Sequence, residues 1–334
     1  MGGANKNKLF KATVPFYVTL IAMVLSGFTA YHFFPSPAET VTVVEDKVEC
    51  PEGMDILRNR DYKFTHPAYL YDVKNENEQL LTLKESLFQY ITKNKQSNGL
   101  EDASIYFRNL NNGAWFEING KESFTPANLM KVAVLIAALK QAEENPSLLD
   151  KKIYFEKHSN PDHSQLAEKK SYSMKELLGY MIENSDEDAT RLVMENMNRQ
   201  FYTKLLTDLG ITSSPDSKKT DEQMNIFDYS KFFRVLYNSS YINEEYSEFA
   251  LSLLTKGAYK NGFLKNADPA TVVAHHYSTL AMNKGQELHE VGIFYMEDQP
   301  YLLGVMTRGK DLKQLSTALS DISTMVHSTV RSTN

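Results

Sequence analysis

The sequence predicts an α+β fold: an antiparallel sheet flanked by the first and last helices of the domain, with an all-helical lobe inserted after the second strand. Three observations predict it. Apolar residues recur at helical spacing near 79–95 and again at 312–330. Two strand-like runs follow the first helix and three precede the last. Between these groups lies a long stretch of helical patterning, about 128–265. That order suits one sheet with a lobe let into it and not a parallel α/β arrangement.

In the first helix Leu80, Leu83, Leu87 and Ile91 share a face. Strands at 103–110 and 114–118 are joined by the Asn-Asn-Gly turn 111–113, which marks a hairpin. A strongly apolar helix follows over 128–144, then a polar loop over 150–171. Ser173, with Glu176 three residues on, forms a capping box that opens the next helix. That helix ends at Ser185–Asp186, and another starts near Asp188. Further helices are expected at 226–237 and 244–254, strands at 272–276, 290–295 and 301–307, and the closing helix at 312–330.

Residues 1–11 carry Lys6, Lys8 and Lys11 and no acid, and residues 12–34 contain no Asp, Glu, Lys or Arg. As a helix, 12–34 reaches roughly 34 Å, enough for a hydrocarbon core of about 30 Å. The lysines before it and Glu39, Glu45, Asp46 and Glu49 beyond it predict a single-pass anchor. The N-terminus is then cytoplasmic and the bulk of the chain extracytoplasmic, in the periplasm or at the cell surface. A cleaved signal peptide is the competing reading. It needs small residues one and three before the cut, and Phe28 spoils the cut after Ala30. The expected organisation is a cytoplasmic tail 1–11, a transmembrane helix 12–34, a linker 35–78 and a domain 79–330.

A net charge of −6 with no basic block gives no support to nucleic-acid binding. The single cysteine, Cys50, cannot form an internal disulfide or a cysteine-rich metal site. An interchain pair, and so a homodimer, stays open beside a free thiol. His275 and His276 are adjacent, so a strand turns them to opposite faces and they cannot share a metal. His158, Asp162 and His163 lie in the polar loop and make a weak metal set. No metal and no cofactor is expected.

The run SIYFRNLNNGAWFEINGKESFTPANLMKVAVLIAALKQAEE, then LLGYMIENSDEDATRLVMENM, DYSKFFRVLYNSSYI, VVAHHYST and ELHEVGIFYMEDQPYLLGVMTRG resemble class A β-lactamases and penicillin-binding-protein-like serine hydrolases. They do so in the family's own order, over about residues 79–330. The resemblance implies a site built from Ser-x-x-Lys, Ser-Asp-Asn and Lys-Thr-Gly. Here these fall on Asn128-Leu129-Met130-Lys131, Ser185-Asp186-Glu187 and His276-Tyr277-Ser278. The nucleophilic serine is therefore Asn128, whose carboxamide has no hydroxyl to activate. Thr125 and Ser123 stand at the wrong spacing from Lys131 to replace it.

The resemblance further implies that Glu187 faces Lys131 as an ion pair that keeps the lysine charged and useless as a base. A mostly neutral His276 replaces a cation, and Tyr277 and Ser278 add bulk, so the substrate-carboxylate grip is weakened. Asp221-Glu222-Gln223-Met224-Asn225 superficially resembles the deacylating Glu-x-x-Leu-Asn but runs straight into the 226–237 helix. Loss of a nucleophile alone costs on the order of 10⁶ in turnover, about 8 kcal/mol of barrier. The expected function is thus a membrane-anchored, β-lactamase-like pseudoenzyme of the cell envelope that binds a protein partner or a cell-wall fragment. The alternative is a serine hydrolase acting on a β-lactam or peptidoglycan-type amide, with Ser185 as nucleophile, Lys131 or His276 as base and Glu187 orienting it. A structural subunit with an empty cleft is a third reading.

Overall fold

The computed structural model describes residues 54–58, 68–73, 80–97, 99–211, 223–283, 285–296 and 299–332. The expected anchor 12–34, Cys50, Asp221 and Glu222 lie outside these residues. Among the described residues no helix is long and apolar enough to cross a membrane.

Within the stretch expected as a linker, β1 (Met54–Arg58) and β2 (Ala68–Val73) pair antiparallel. Tyr69 and Leu70 of β2 are buried in the core, and Tyr69 meets Tyr241 with ring centroids 5.2 Å apart. At least part of that stretch is therefore docked on the domain. Tyr69 thus has a destination that sequence alone did not supply.

The main sheet has five strands in the order β4-β3-β11-β10-β9, every neighbour antiparallel. They are β3 (Asp102–Asn109), β4 (Trp115–Ile118), β9 (Val272–Ala281), β10 (Gln286–Tyr295) and β11 (Tyr301–Gly309). The β3–β4 turn forms as expected. Asn109 Oδ1 accepts the N–H groups of Asn111 and Asn112, and Gly113 takes φ +74°, where a Cβ would be strained.

One face of the sheet lies under α1 (Leu81–Gln96) and α8 (Leu312–Ser332). Leu83, Leu87 and Ile91 of α1 and Leu315, Leu319 and Ile322 of α8 meet Ile105, Phe107, Leu303 and Val305 there. The other face supports the helical lobe, where Tyr106, Val291, Leu302 and Met306 join a second core. Because both faces are covered, β10 and β11 are buried almost end to end.

The lobe is built around α2 (Lys131–Glu144), buried on nearly every side as a central helix must be. Around it stand α3 (Met174–Glu183), α4 (Glu187–Asn196), α5 (Arg199–Asp208), α6 (Ile226–Tyr237) and α7 (Glu244–Leu254). The Ser173/Glu176 capping box is present in full at the start of α3. The stretch expected as polar loop over 150–171 contains a hairpin, β6 (Lys152–Phe155) with β7 (Lys170–Ser173). Its lysines face solvent while Ile153, Phe155 and Tyr172 are buried, so charge hid a period-2 pattern. A last small ladder joins β5 (Ser123–Phe124) to β8 (Met224–Asn225).

Candidate functional site

Two segments and a buried lysine come together where the lobe meets β9. The first runs from β5 through a short 3₁₀ turn, Ala127–Met130, into α2. Ala127 adopts φ +44°, a left-handed conformation costly for a residue with a Cβ. Upstream, the Thr125 N–H donates to Glu287 Oε2 at 3.1 Å, and Arg308 donates to both Glu287 Oε1 and the Ser123 carbonyl. Burial alone would raise the Glu287 carboxyl. The hydrogen bond and charge of His289, with Arg308 and the Thr125 N–H, outweigh it and hold the group below its ordinary value. A buried charge network thus fixes the approach to Asn128.

Asn128 is partly exposed, and its backbone is gripped on both sides by β9. Its N–H donates to Ser278 Oγ at 3.1 Å. Its carbonyl lies 3.1 Å from His276 Nε2, which must carry the proton because a carbonyl can only accept. His276 and Ser278 are buried. Burial, then the Lys131 charge and then His275, push His276 down to about 3, so it is neutral. Tyr277 falls on the opposite face of the strand, stacked on Tyr259 with centroids 4.1 Å apart. The expectation that Tyr277 adds bulk to the pocket is therefore wrong; of that motif, His276 and Ser278 reach it.

The second segment links α3 to α4. Ser185 adopts φ +55°, and Asp186, not Ser185, caps α4 by accepting the Ala189 N–H at 2.8 Å. Asp186 also accepts Ser164 Oγ at 3.1 Å and the Gln165 N–H at 2.6 Å. Asp188 accepts the Ser159 N–H and meets His158 Nδ1 and Arg191. These two buried carboxylates pin the connection between β6 and β7 beside Ser185.

The third component is Lys131, at 4% exposure. Its Nζ donates to the Ser185 carbonyl and, at 2.9 Å, to Ser185 Oγ. The expected ion pair with Glu187 does not form: Glu187 is exposed in the first turn of α4, and the lysine is held by serine oxygens instead. Glu187 acts only at a distance. Burial lowers Lys131 to about 8, against the opposing pull of Glu187 and then Asp186. Burial outweighs the acids, so the lysine loses its proton more readily than an ion pair would allow, yet it is still mostly charged at pH 7.

A model of the β-lactamase enzyme family matches residues 83–330. The chain belongs to that family. Solved structures share the fold. PBP-A is 17% identical with TM-score 0.63, covering 76% of this chain and 97% of that one. A β-lactamase from Xanthomonas campestris is 14% identical with TM-score 0.64, covering 73% and 97%. The TLA-3 extended-spectrum β-lactamase is 14% identical with TM-score 0.66, covering 74% and 98%. No curated protein matches the chain.

Within this family member the structure brings Asn128, Lys131, Ser185, His276 and Ser278 together and leaves Glu187 at the rim and Tyr277 behind the sheet. Sequence reasoning missed Asp186 and Asp188 as anchors. It also missed the Ser278 hydroxyl as the partner of the Asn128 N–H. Gln223 Nε2 donates to Thr125 Oγ1 at 3.1 Å, so the 223–225 segment does run beside the Asn128 turn. Among the described residues no three His, Cys, Asp or Glu side chains gather as a metal would require.

Proposed function

We propose that this protein is a membrane-anchored, extracytoplasmic member of the β-lactamase family that binds and does not hydrolyse. It would be a pseudoenzyme whose cleft or outer surface engages a cell-wall fragment or an envelope protein. One observation carries the reading: the Asn128 backbone N–H is already bonded to Ser278 Oγ. In serine acyl transfer the N–H of the nucleophile's own residue helps to hold the developing oxyanion. Here the side chain cannot attack, and the donor that would stabilise the attack is engaged. The charge-free span 12–34 behind three lysines supports the anchor.

Thermal melting of the detergent-solubilised full chain tests the binding role. Soluble peptidoglycan fragments at 100 times their Kd raise stability by about 2.7 kcal/mol. An unchanged Tm with every fragment, together with no stoichiometric protein co-purifying from membranes, would remove both proposed partners. Protease added to intact spheroplasts tests the topology; full protection of the domain would overturn it.

The 2.9 Å contact between Lys131 Nζ and Ser185 Oγ favours one second reading, an amide hydrolase with Ser185 as nucleophile. Turnover of a peptide or β-lactam that is lost in Ser185→Ala would establish it.

A further inference from the structure

We propose that Ser185 is a nucleophile reactive toward activated esters and phosphonyl fluorides, with Lys131 as its base. The inference rests on the second reading for its choice of residues but does not require turnover of an amide.

The geometry has four parts. Lys131 Nζ lies 2.9 Å from Ser185 Oγ, within reach for direct proton transfer. The same amine is fixed by the Ser185 carbonyl, so it stays in place. Lys131 is buried and Ser185 is partly exposed. Ser185 is held at φ +55° by its neighbours: Asp186 is locked by three hydrogen bonds and the Asp186 N–H donates to the Tyr180 carbonyl. Strain of this kind, sustained by the surroundings, is a feature of reactive positions. Burial of Lys131 supports the assignment, since with a pKa of about 8 a substantial fraction is free amine in mildly alkaline solution.

In the free-base form the hydrogen bond reverses and Ser185 Oγ–H donates to Nζ. As Oγ attacks the carbonyl carbon, its proton passes to Nζ and an Oγ–C bond forms. The leaving phenolate or alkoxide departs with the C–O bond electrons and takes the proton back from the ammonium. The products are an ester on Ser185 and a free alcohol or phenol. With a phosphonyl fluoride the Oγ–P bond forms as the P–F bond breaks; fluoride leaves as the anion, and the proton taken by Nζ passes on to water. The substrate class follows from what is missing. The groups placed at Ser185 are a nucleophile and a base, and an oxyanion donor, worth on the order of 10²–10³ in rate, is not among them. Electrophiles with good leaving groups tolerate that loss and ordinary amides do not.

The test is intact-mass and peptide-mapping spectrometry of the full chain in detergent after exposure to an alkyl fluorophosphonate. One adduct on Ser185 is expected, absent in Ser185→Ala. Its rate should rise from pH 6.5 and level off above about pH 8. In Lys131→Arg, which keeps the charge but not the base, labelling should slow at least about 100-fold. The wild-type pH profile and peptide map stand even where a variant fails to fold. No adduct on Ser185, or a rate independent of pH over this range, would overturn the proposal. So would equal labelling of a folded Lys131→Arg protein. An adduct without amide turnover supports it while sinking the hydrolase reading.

Discussion

At position 128 the side chain and the backbone bear on acyl transfer separately. Replacing Asn128 by serine restores a hydroxyl one helical turn from Lys131, but Ser278 Oγ still holds the N–H of that residue. Asn128→Ser is therefore expected to give at most slow acylation by a penicillin. Adding Ser278→Gly should speed it by at least about tenfold, because a freed oxyanion donor is worth that or more. Equal rates for the single and double variants, read from adduct formation by mass, would show that Ser278 is not what occupies the donor. His276 makes a pH prediction. Its folded value of about 3 lies below the unfolded 6.5, so the stability it contributes is present above pH 6.5 and lost as pH falls toward 3. His276→Gln keeps a donor for the Asn128 carbonyl without the titration. Between pH 6.5 and 3 the wild type should lose roughly several kcal/mol more than this variant. Parallel urea-unfolding curves across that range would contradict it.

At the scale of elements, β9 and the α3–α4 link carry the site, and the two differ in how legible they were. The capping box of α3 was readable because Ser173 and Glu176 act within four residues. So was the core face of α1, since Leu83, Leu87 and Ile91 keep helical spacing. Strands β9 and β10 were expected over 272–276 and 290–295 and are longer, reaching Ala281 and starting at Gln286, and they carry His275, Glu287, His289 and Glu290. In the fold these four are buried and pair: His275 Nδ1 lies 2.7 Å from Glu290 Oε1, His289 Nε2 lies 3.3 Å from Glu287 Oε2, and Glu290 also accepts the Phe263 N–H at 2.9 Å, while His275 Nε2 has no hydrogen-bond partner among the described residues. The local pattern does not announce such pairs, which form only once the chain has folded back on itself. The roles of Asp186 and Asp188 were hidden for the same reason, since their partners lie 21 to 30 residues upstream in the β6–β7 connection. Asp186→Ala removes an N-cap and two further hydrogen bonds to a buried carboxylate. It is expected to cost about 2–4 kcal/mol. Trypsin should then cut first between β6 and β7, at Lys157 or Lys169. An unchanged melting temperature and cleavage pattern would show that the carboxylate does not anchor this connection.

Over the whole molecule the order of the main elements, the sheet flanked by α1 and α8 and the inserted lobe were implied by hydrophobic pattern, while α5 and the small β1–β2, β5–β8 and β6–β7 ladders were not. The family follows from the match over residues 83–330. The site was legible as a set of positions, but its wiring was not. A motif in sequence names residues that meet and does not say which atom of each is engaged, and here the decisive contacts run through backbone groups of Asn128 and Ser185. On the proposed reading the fold is retained while the acyl-transfer machinery at Asn128 is lost as a unit. Intact-mass spectrometry of the wild-type chain after prolonged exposure to saturating penicillin G, with a chromogenic cephalosporin assay on the same sample, tests this most directly. The account predicts an unchanged protein mass and no release of chromophore above the uncatalysed rate. A stoichiometric penicilloyl adduct on any residue, or multiple turnover of the cephalosporin, would contradict it.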